Sequence, residues 1–172
     1  SWVETEDNAR EKAPFLITQP LFSLDAKQEN VLRIIRTGGN LPADRESLFW
    51  LNIKSIPSSA RNESINTLQI AIKTRIKLLY RPSGITGKPE DVTTQLVWHT
   101  RGNQLIIDNP TPYYMNFQEI KLDGKKVDKA TYAGPKSETH FAMPANISAH
   151  TVSWKIINDF GGISQSYTAQ IK

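Results

Sequence analysis

Apolar and polar residues along this chain fall into short alternating runs, and no stretch carries a convincing 3.6-residue apolar repeat. The longest run is Leu68 to Tyr80, LQIAIKTRIKLLY. Its first half sets Leu68, Ile70 and Ile72 on one side and Gln69, Ala71 and Lys73 on the other, the pattern of a half-buried β-strand. Val31 to Arg36, Leu48 to Ile53, Gln95 to His99, Gln104 to Asp108, Tyr113 to Leu122, Thr151 to Ile157 and Ser166 to Ile171 read as further strands. Turn signals separate them, among them Gly38-Gly39-Asn40, Pro82-Ser83-Gly84, Arg101-Gly102-Asn103, Asp123-Gly124 and Gly161-Gly162.

Short strands at regular spacing with turn punctuation predict an all-β protein of β-sandwiches. Pro82, Gly84, Gly87 and Pro89 cluster where one series of strand signals ends and another begins. The expected domains are therefore residues 1–86 and 87–172. An immunoglobulin-like sandwich takes about 100 residues, so both halves are slightly short. Ser1-Trp2-Val3-Glu4 reads as the middle of a strand, which predicts that the first domain lacks its opening strands.

Composition narrows the function. Hydrophobic residues make up 38% of the 172, enough for packed cores, and no apolar run approaches the ~20 residues needed to span a bilayer. No membrane insertion is expected. Cysteine is absent, which excludes a disulfide framework, a zinc-thiolate site and a cysteine nucleophile. His99, His140 and His150 are too scattered for a metal motif, and no nucleophile elbow or phosphate-binding glycine loop occurs. The chain thus reads as a non-enzyme with no metal and no cofactor. A net charge of +4 and a pI near 9.3 raise nucleic acid as a partner, with the basic stretch Lys73 to Arg81 as its footprint, but ordinary exported proteins are often this basic. No nucleic-acid partner is expected. The four tryptophans, at positions 2, 50, 98 and 154, read as core anchors.

Residues 41–53, LPADRESLFWLNI, resemble the signature of the periplasmic pilus (fimbrial) chaperones of the chaperone–usher pathway. Leu68 to Pro82 resembles the last strand of that family's first domain. Asn109-Pro110-Thr111-Pro112-Tyr113-Tyr114 resembles a strand opening in its second domain, and Ile157-Asn158-Asp159-Phe160-Gly161-Gly162 its late turn. The resemblance spans the whole chain and is nearest to the chaperones of type 1-like fimbriae. The short segment between Ile56 and Leu68, without cysteines, is similar to the family branch that serves rod-like pili.

The resemblance implies two immunoglobulin-like sandwiches set at an angle, like a boomerang. It places roughly 35 residues of the first sandwich upstream of Ser1, including a cleft arginine. It further implies a periplasmic chaperone that binds, folds and caps pilus subunits, pilins and adhesin, by donor-strand complementation and delivers them to an outer-membrane usher. Leu68, Ile70 and Ile72 would fill the subunit's apolar groove, each contributing roughly 1.5–3 kcal/mol on full burial. Lys77 would anchor the subunit's terminal carboxylate, supplying charge and three donors. Glu46, Arg81 and Asp159 would form a charged triad between the domains. Self-association through the exposed edge strand is a further expected contact. The competing reading is an adhesive or structural immunoglobulin-like surface module. Parity adds one expectation: Ile72 and Lys77 are five residues apart, so a twist or bulge is expected near Thr74 to Ile76.

Overall fold

The computed structural model describes residues 1–6, 12–57, 68 and 70–172. The chain divides into two compact units. The first is Ser1–Leu41 with Ser47–Tyr80; the second is Pro42–Glu46 with Arg81–Lys172. A five-residue segment between two strands of the first unit thus groups with the second.

In the first unit, β1 (Trp2–Thr5), β4 (Ser47–Ser55) and β5 (Ile72–Tyr80) form one antiparallel sheet in the order β1-β4-β5. Strands β2 (Phe15–Thr18) and β3 (Arg33–Arg36) form a separate hairpin pair. β4 lies between two neighbours, so both its edges are paired, and Leu48, Phe49 and Leu51 of its apolar run are buried. Phe49 and Leu51 point one way, and Phe15 of β2 packs on Phe49 with ring centres 4.8 Å apart. Ile17 of β2 is also buried.

The second unit is a two-sheet sandwich. Before it stands a single helical turn, Pro89–Val92, followed by a 3-10 turn, Thr93–Gln95, where the sequence pattern had read a strand from Gln95. One sheet joins β6 (Val97–Arg101), β7 (Gln104–Asn109) and β11 (Ser137–Ala142). The other runs β10-β8-β12-β13, built from β8 (Met115–Leu122), β10 (Tyr132–Ala133), β12 (Thr151–Ile156) and β13 (Tyr167–Gln170), with β9 (Lys125–Lys126) beside β8. Val152, Trp154 and Ile156 bury every second side chain of β12. In β8 the buried set is Met115, Phe117, Ile120 and Leu122, so the phase slips by one. The register shows why: Lys155 pairs Glu119 and Ile156 pairs Phe117, leaving Gln118 as a bulge. Trp98 and Trp154 meet at the centre with rings 4.8 Å apart, and Trp154 Nε1 donates to the buried Thr93 hydroxyl at 2.9 Å.

Candidate functional site

β5 is the edge of its sheet: among the described strands it pairs only with β4. An edge strand presents N–H and C=O groups along its outer side to any chain that can pair with them. The ladder with β4 runs without interruption from Ser47 opposite Tyr80 to Ser55 opposite Ile72. The bulge expected near Thr74 to Ile76 is therefore absent, and Ile72 and Lys77 lie on opposite faces. Ile72 and Ile76 share the face of Phe49 and Leu51, while Lys73, Arg75 and Lys77 share the outward face.

The strand is also shorter than its alternation suggested. Its ladder with β4 begins with Ile72 opposite Ser55, and among the described residues Leu68 and Ile70 precede β5 without pairing to a strand. All three apolar residues expected to grip a client are exposed, Leu68 at 87%, Ile70 at 67% and Ile72 at 62%. Gln69 and residues 58–67, and with them most of the segment compared above to the rod-like branch, lie outside the described residues.

The outward face gathers cations and rings. Lys77 is opposite Trp50, Arg75 opposite Asn52, and Lys73 opposite Lys54, with Trp2 and Glu4 of β1 on the far side. Two like charges directly opposite are unfavourable. Here Lys73 is drawn to Trp2, whose ring centre is 4.9 Å away, and to Glu4 at 4.0 Å. The Arg75 guanidinium stacks over Trp50 at 4.4 Å and reaches the other oxygen of Glu4 at 3.6 Å. Trp2 Nε1 donates to Glu4 at 2.7 Å. Trp2 and Trp50 are thus cation seats on a surface rather than core anchors, in contrast to Trp98 and Trp154. The alternation of Lys73, Arg75 and Lys77 was legible in the sequence; their partners depend on cross-strand register, which was not. Lys77 is half-buried, and burial lowers its ammonium below the usual lysine value while Glu6 opposes that shift.

Glu46, Arg81 and Asp159 do come together, and all three belong to the second unit. Ser47 pairs Tyr80, so the next residues outward, Glu46 and Arg81, face each other. Arg81 Nε donates to Glu46 at 2.8 Å, and its two terminal nitrogens donate to the two Asp159 oxygens at 2.8 Å each. Glu46 is 2% exposed, and its second oxygen accepts the Tyr114 N–H at 2.7 Å. Burial raises the Glu46 carboxyl above the usual range despite these donors. The two carboxylates hold the Arg81 guanidinium above the usual arginine value. Asn158 shapes the turn that presents Asp159, accepting from Phe160 N and Gly162 N at 3.1 and 2.8 Å, with Gly161 at φ +78°. Nearby, Asn109 is fully buried and donates to the carbonyls of Tyr113 and Gly134 at 2.8 Å each, while its oxygen accepts from Thr111.

Among the described residues, no group of three or more His, Cys, Asp or Glu side chains is placed to hold a metal ion. No helix among them is long and apolar enough to cross a membrane.

Comparison with known proteins names the family. Residues 1–86 match the N-terminal domain family described as "Pili and flagellar-assembly chaperone, PapD N-terminal domain", and residues 91–168 match "Pili assembly chaperone PapD, C-terminal domain". This chain belongs to the PapD family of pilus-assembly chaperones. It is 40% identical over 173 residues to the probable fimbrial chaperone LpfB of Escherichia coli O157:H7, covering 99% of this chain and 74% of that one. It is 38% identical over 174 residues to the Escherichia coli chaperone protein FocC, covering 100% and 76%. Among solved structures it resembles the Salmonella enterica SafA pilin in complex with the SafB chaperone, with TM-score 0.90 and 38% identity over 98% of this chain and 80% of that chain. It resembles the Escherichia coli chaperone DraB with TM-score 0.88 and 42% identity over 99% and 80%. The two-domain immunoglobulin-like fold read from the sequence is that of these chaperones.

Proposed function

We propose that this PapD-family chaperone holds a pilus subunit, pilin or adhesin, by adding its edge strand β5 to the subunit's sheet, with Lys77 taking the subunit's terminal carboxylate. The single observation that carries this reading is the edge position of β5 with Lys77 half-buried on its outward face. Main-chain pairing along the edge supplies affinity. The exposed Leu68, Ile70 and Ile72 precede or open that strand, and apolar groups that are wet in the free protein gain on entering a client groove. An ammonium that is partly desolvated before binding gives up less hydration when a carboxylate arrives, and it offers three donors to it.

The Glu46–Arg81–Asp159 triad fixes the residue that directly follows β5. The planar fork of Arg81 meets Asp159 with two parallel hydrogen bonds and Glu46 with a third, so its side chain is held in one geometry. The setting for this work is the periplasm, and the chaperone would pass its client to an outer-membrane usher. Self-association through the same β5 edge would compete with client binding.

The test is Lys77→Ala with a co-expressed pilin of the same gene cluster, read as soluble pilin recovered in complex. Loss of most of the complex is expected. Recovery at the wild-type level would overturn the anchoring role. Ile70→Asp should reduce capture as well, and undiminished capture would remove the apolar residues from the mechanism. A protein that binds no unassembled pilin at all would instead be an immunoglobulin-like surface module.

A further inference from the structure

The outward face around β5 gathers positively charged side chains. Lys54, Lys73, Arg75 and Lys77 lie on it, Glu4 lies among them, and Glu6 acts on Lys77 from the end of β1. Two of the cations are positioned by rings, Lys73 by Trp2 and Arg75 by Trp50, so they are presented in defined places rather than on freely sweeping side chains.

A strand added along the edge of β5 sets every second side chain on this face. A client whose terminal carboxylate reaches Lys77 and whose chain runs back toward Ile72 lies parallel to β5. At about 3.3 Å per residue, its side chain two residues before the C-terminus comes beside Arg75. The one two residues earlier comes beside Lys73. The terminal carboxylate meets the Lys77 ammonium; an acidic side chain beside Arg75 would meet a guanidinium already placed over Trp50.

We propose that this face selects among clients by charge: it favours an extended C-terminal segment with an acidic side chain two residues before its end, which Arg75 receives. The proposal rests on the reading of Lys77 as the anchor. Arginine suits the role because its face can remain on Trp50 while its edge donors meet a carboxylate. Discrimination comes from both signs, since a basic side chain at that place would meet Arg75, Lys73 and Lys77 together.

The experiment measures binding of three synthetic peptides to the full chain. Each alternates Val and Ser, ends in a free carboxylate, and carries Glu, Gln or Lys at the third position from its end. The wild-type protein should bind them in the order Glu, Gln, Lys, with about tenfold between the extremes at low salt. The spread should shrink at about 1 M salt, where screening acts within a few ångströms. Arg75→Glu should invert the order. Arg75→Gln should flatten it, and thermal unfolding of both variants checks that they remain folded. An unchanged order in Arg75→Glu, no discrimination by the wild type, or binding of none of the peptides would each overturn the proposal. Amidated versions of the same peptides separate it from the anchor. A large loss on amidation without charge discrimination keeps Lys77 and removes Arg75; discrimination without any loss on amidation keeps Arg75 and removes Lys77.

Discussion

The two units of this protein are made of the same material, antiparallel strands with alternating side chains, yet they finish it differently. The second unit closes a continuous core in which Trp98, Leu105, Ile107, Met115, Ile120 and Val152 are almost completely excluded from water. In the first unit the described apolar residues that reach the same state are Ile17, Leu48, Phe49 and Leu51. Ile72 and Ile76 point to the same side as Phe49 and Leu51 but stay 62% and 48% exposed, and Leu16 and Ile35 form an exposed apolar pair across β2 and β3. Among the described residues, the side chains most fully excluded from water lie in the second unit, while beside the open edge of β5 inward-facing side chains remain wet. Anything that covers the first unit selectively stabilises it by mass action.

The sharpest way to break this contrast is to delete one large side chain from each unit. Trp154→Ala removes a ring that stacks on Trp98 and Tyr167 and strands the Thr93 hydroxyl, so it should cost about 3–5 kcal/mol. Ile76→Ala, half exposed on an edge strand, should cost less than about 1 kcal/mol. Segment-resolved hydrogen exchange with denaturant titration reads both. Equal costs would mean that β5 belongs to a core as closed as that of the second unit.

Next in size is Arg81→Ala. It leaves Glu46 buried without its cation, at a cost of about 3 kcal/mol confined to the second unit. Adding Glu46→Gln should recover part of the loss, because the stranded charge is gone. The pH dependence has a definite sign. The Glu46 carboxyl sits above its usual 4.5 in the folded protein, so protonation favours folding. The deficit of Arg81→Ala should therefore shrink as pH falls from 8 toward 4.5. A deficit that grows on acidification would show that Glu46 is held charged by groups other than Arg81.

How far the sequence carried is clearest at particular residues. Leu48 to Ile53 and Thr151 to Ile157 were legible as strands because each has a paired neighbour that stabilises the whole run, and they stand as β4 and β12. Leu68 to Tyr80 alternates as strongly, but alternation cannot reveal where a partner ends, and β5 stops with β4. A bulge was sought in β5 and occurs in β8. There Phe117 and Ile120 are both buried three residues apart, a phase slip already visible in the sequence. Family resemblance brought Glu46, Arg81 and Asp159 to notice, and the register Ser47 to Tyr80 supplies the physical reason for the first pair. The seats of Lys73 and Arg75 on Trp2 and Trp50 stayed hidden, because they join residues about 25 to 70 positions apart whose register no local pattern encodes.

The smallest expected effect tests whether the contrast extends to surface electrostatics. Asp123 accepts the Thr151 hydroxyl at 2.7 Å and the N–H groups of His150 and Thr151 at 3.0 and 2.8 Å. These donors, the hydroxyl foremost, pull its carboxyl down to about 2. A depressed carboxyl contributes stability that is present above its usual 3.8 and is lost as pH falls through 2. Asp123→Asn removes the charge, keeps one acceptor, and tolerates the left-handed backbone at φ +45°. It should lower the stability of the second unit at pH 7 by less than Arg81→Ala does, since the group is at the surface. The gap between wild type and variant should close as pH falls from 4 to 2, while exchange in β4 and β5 stays the same. Loss of protection in β4 and β5 on this substitution would mean that the two units do not hold their stability separately.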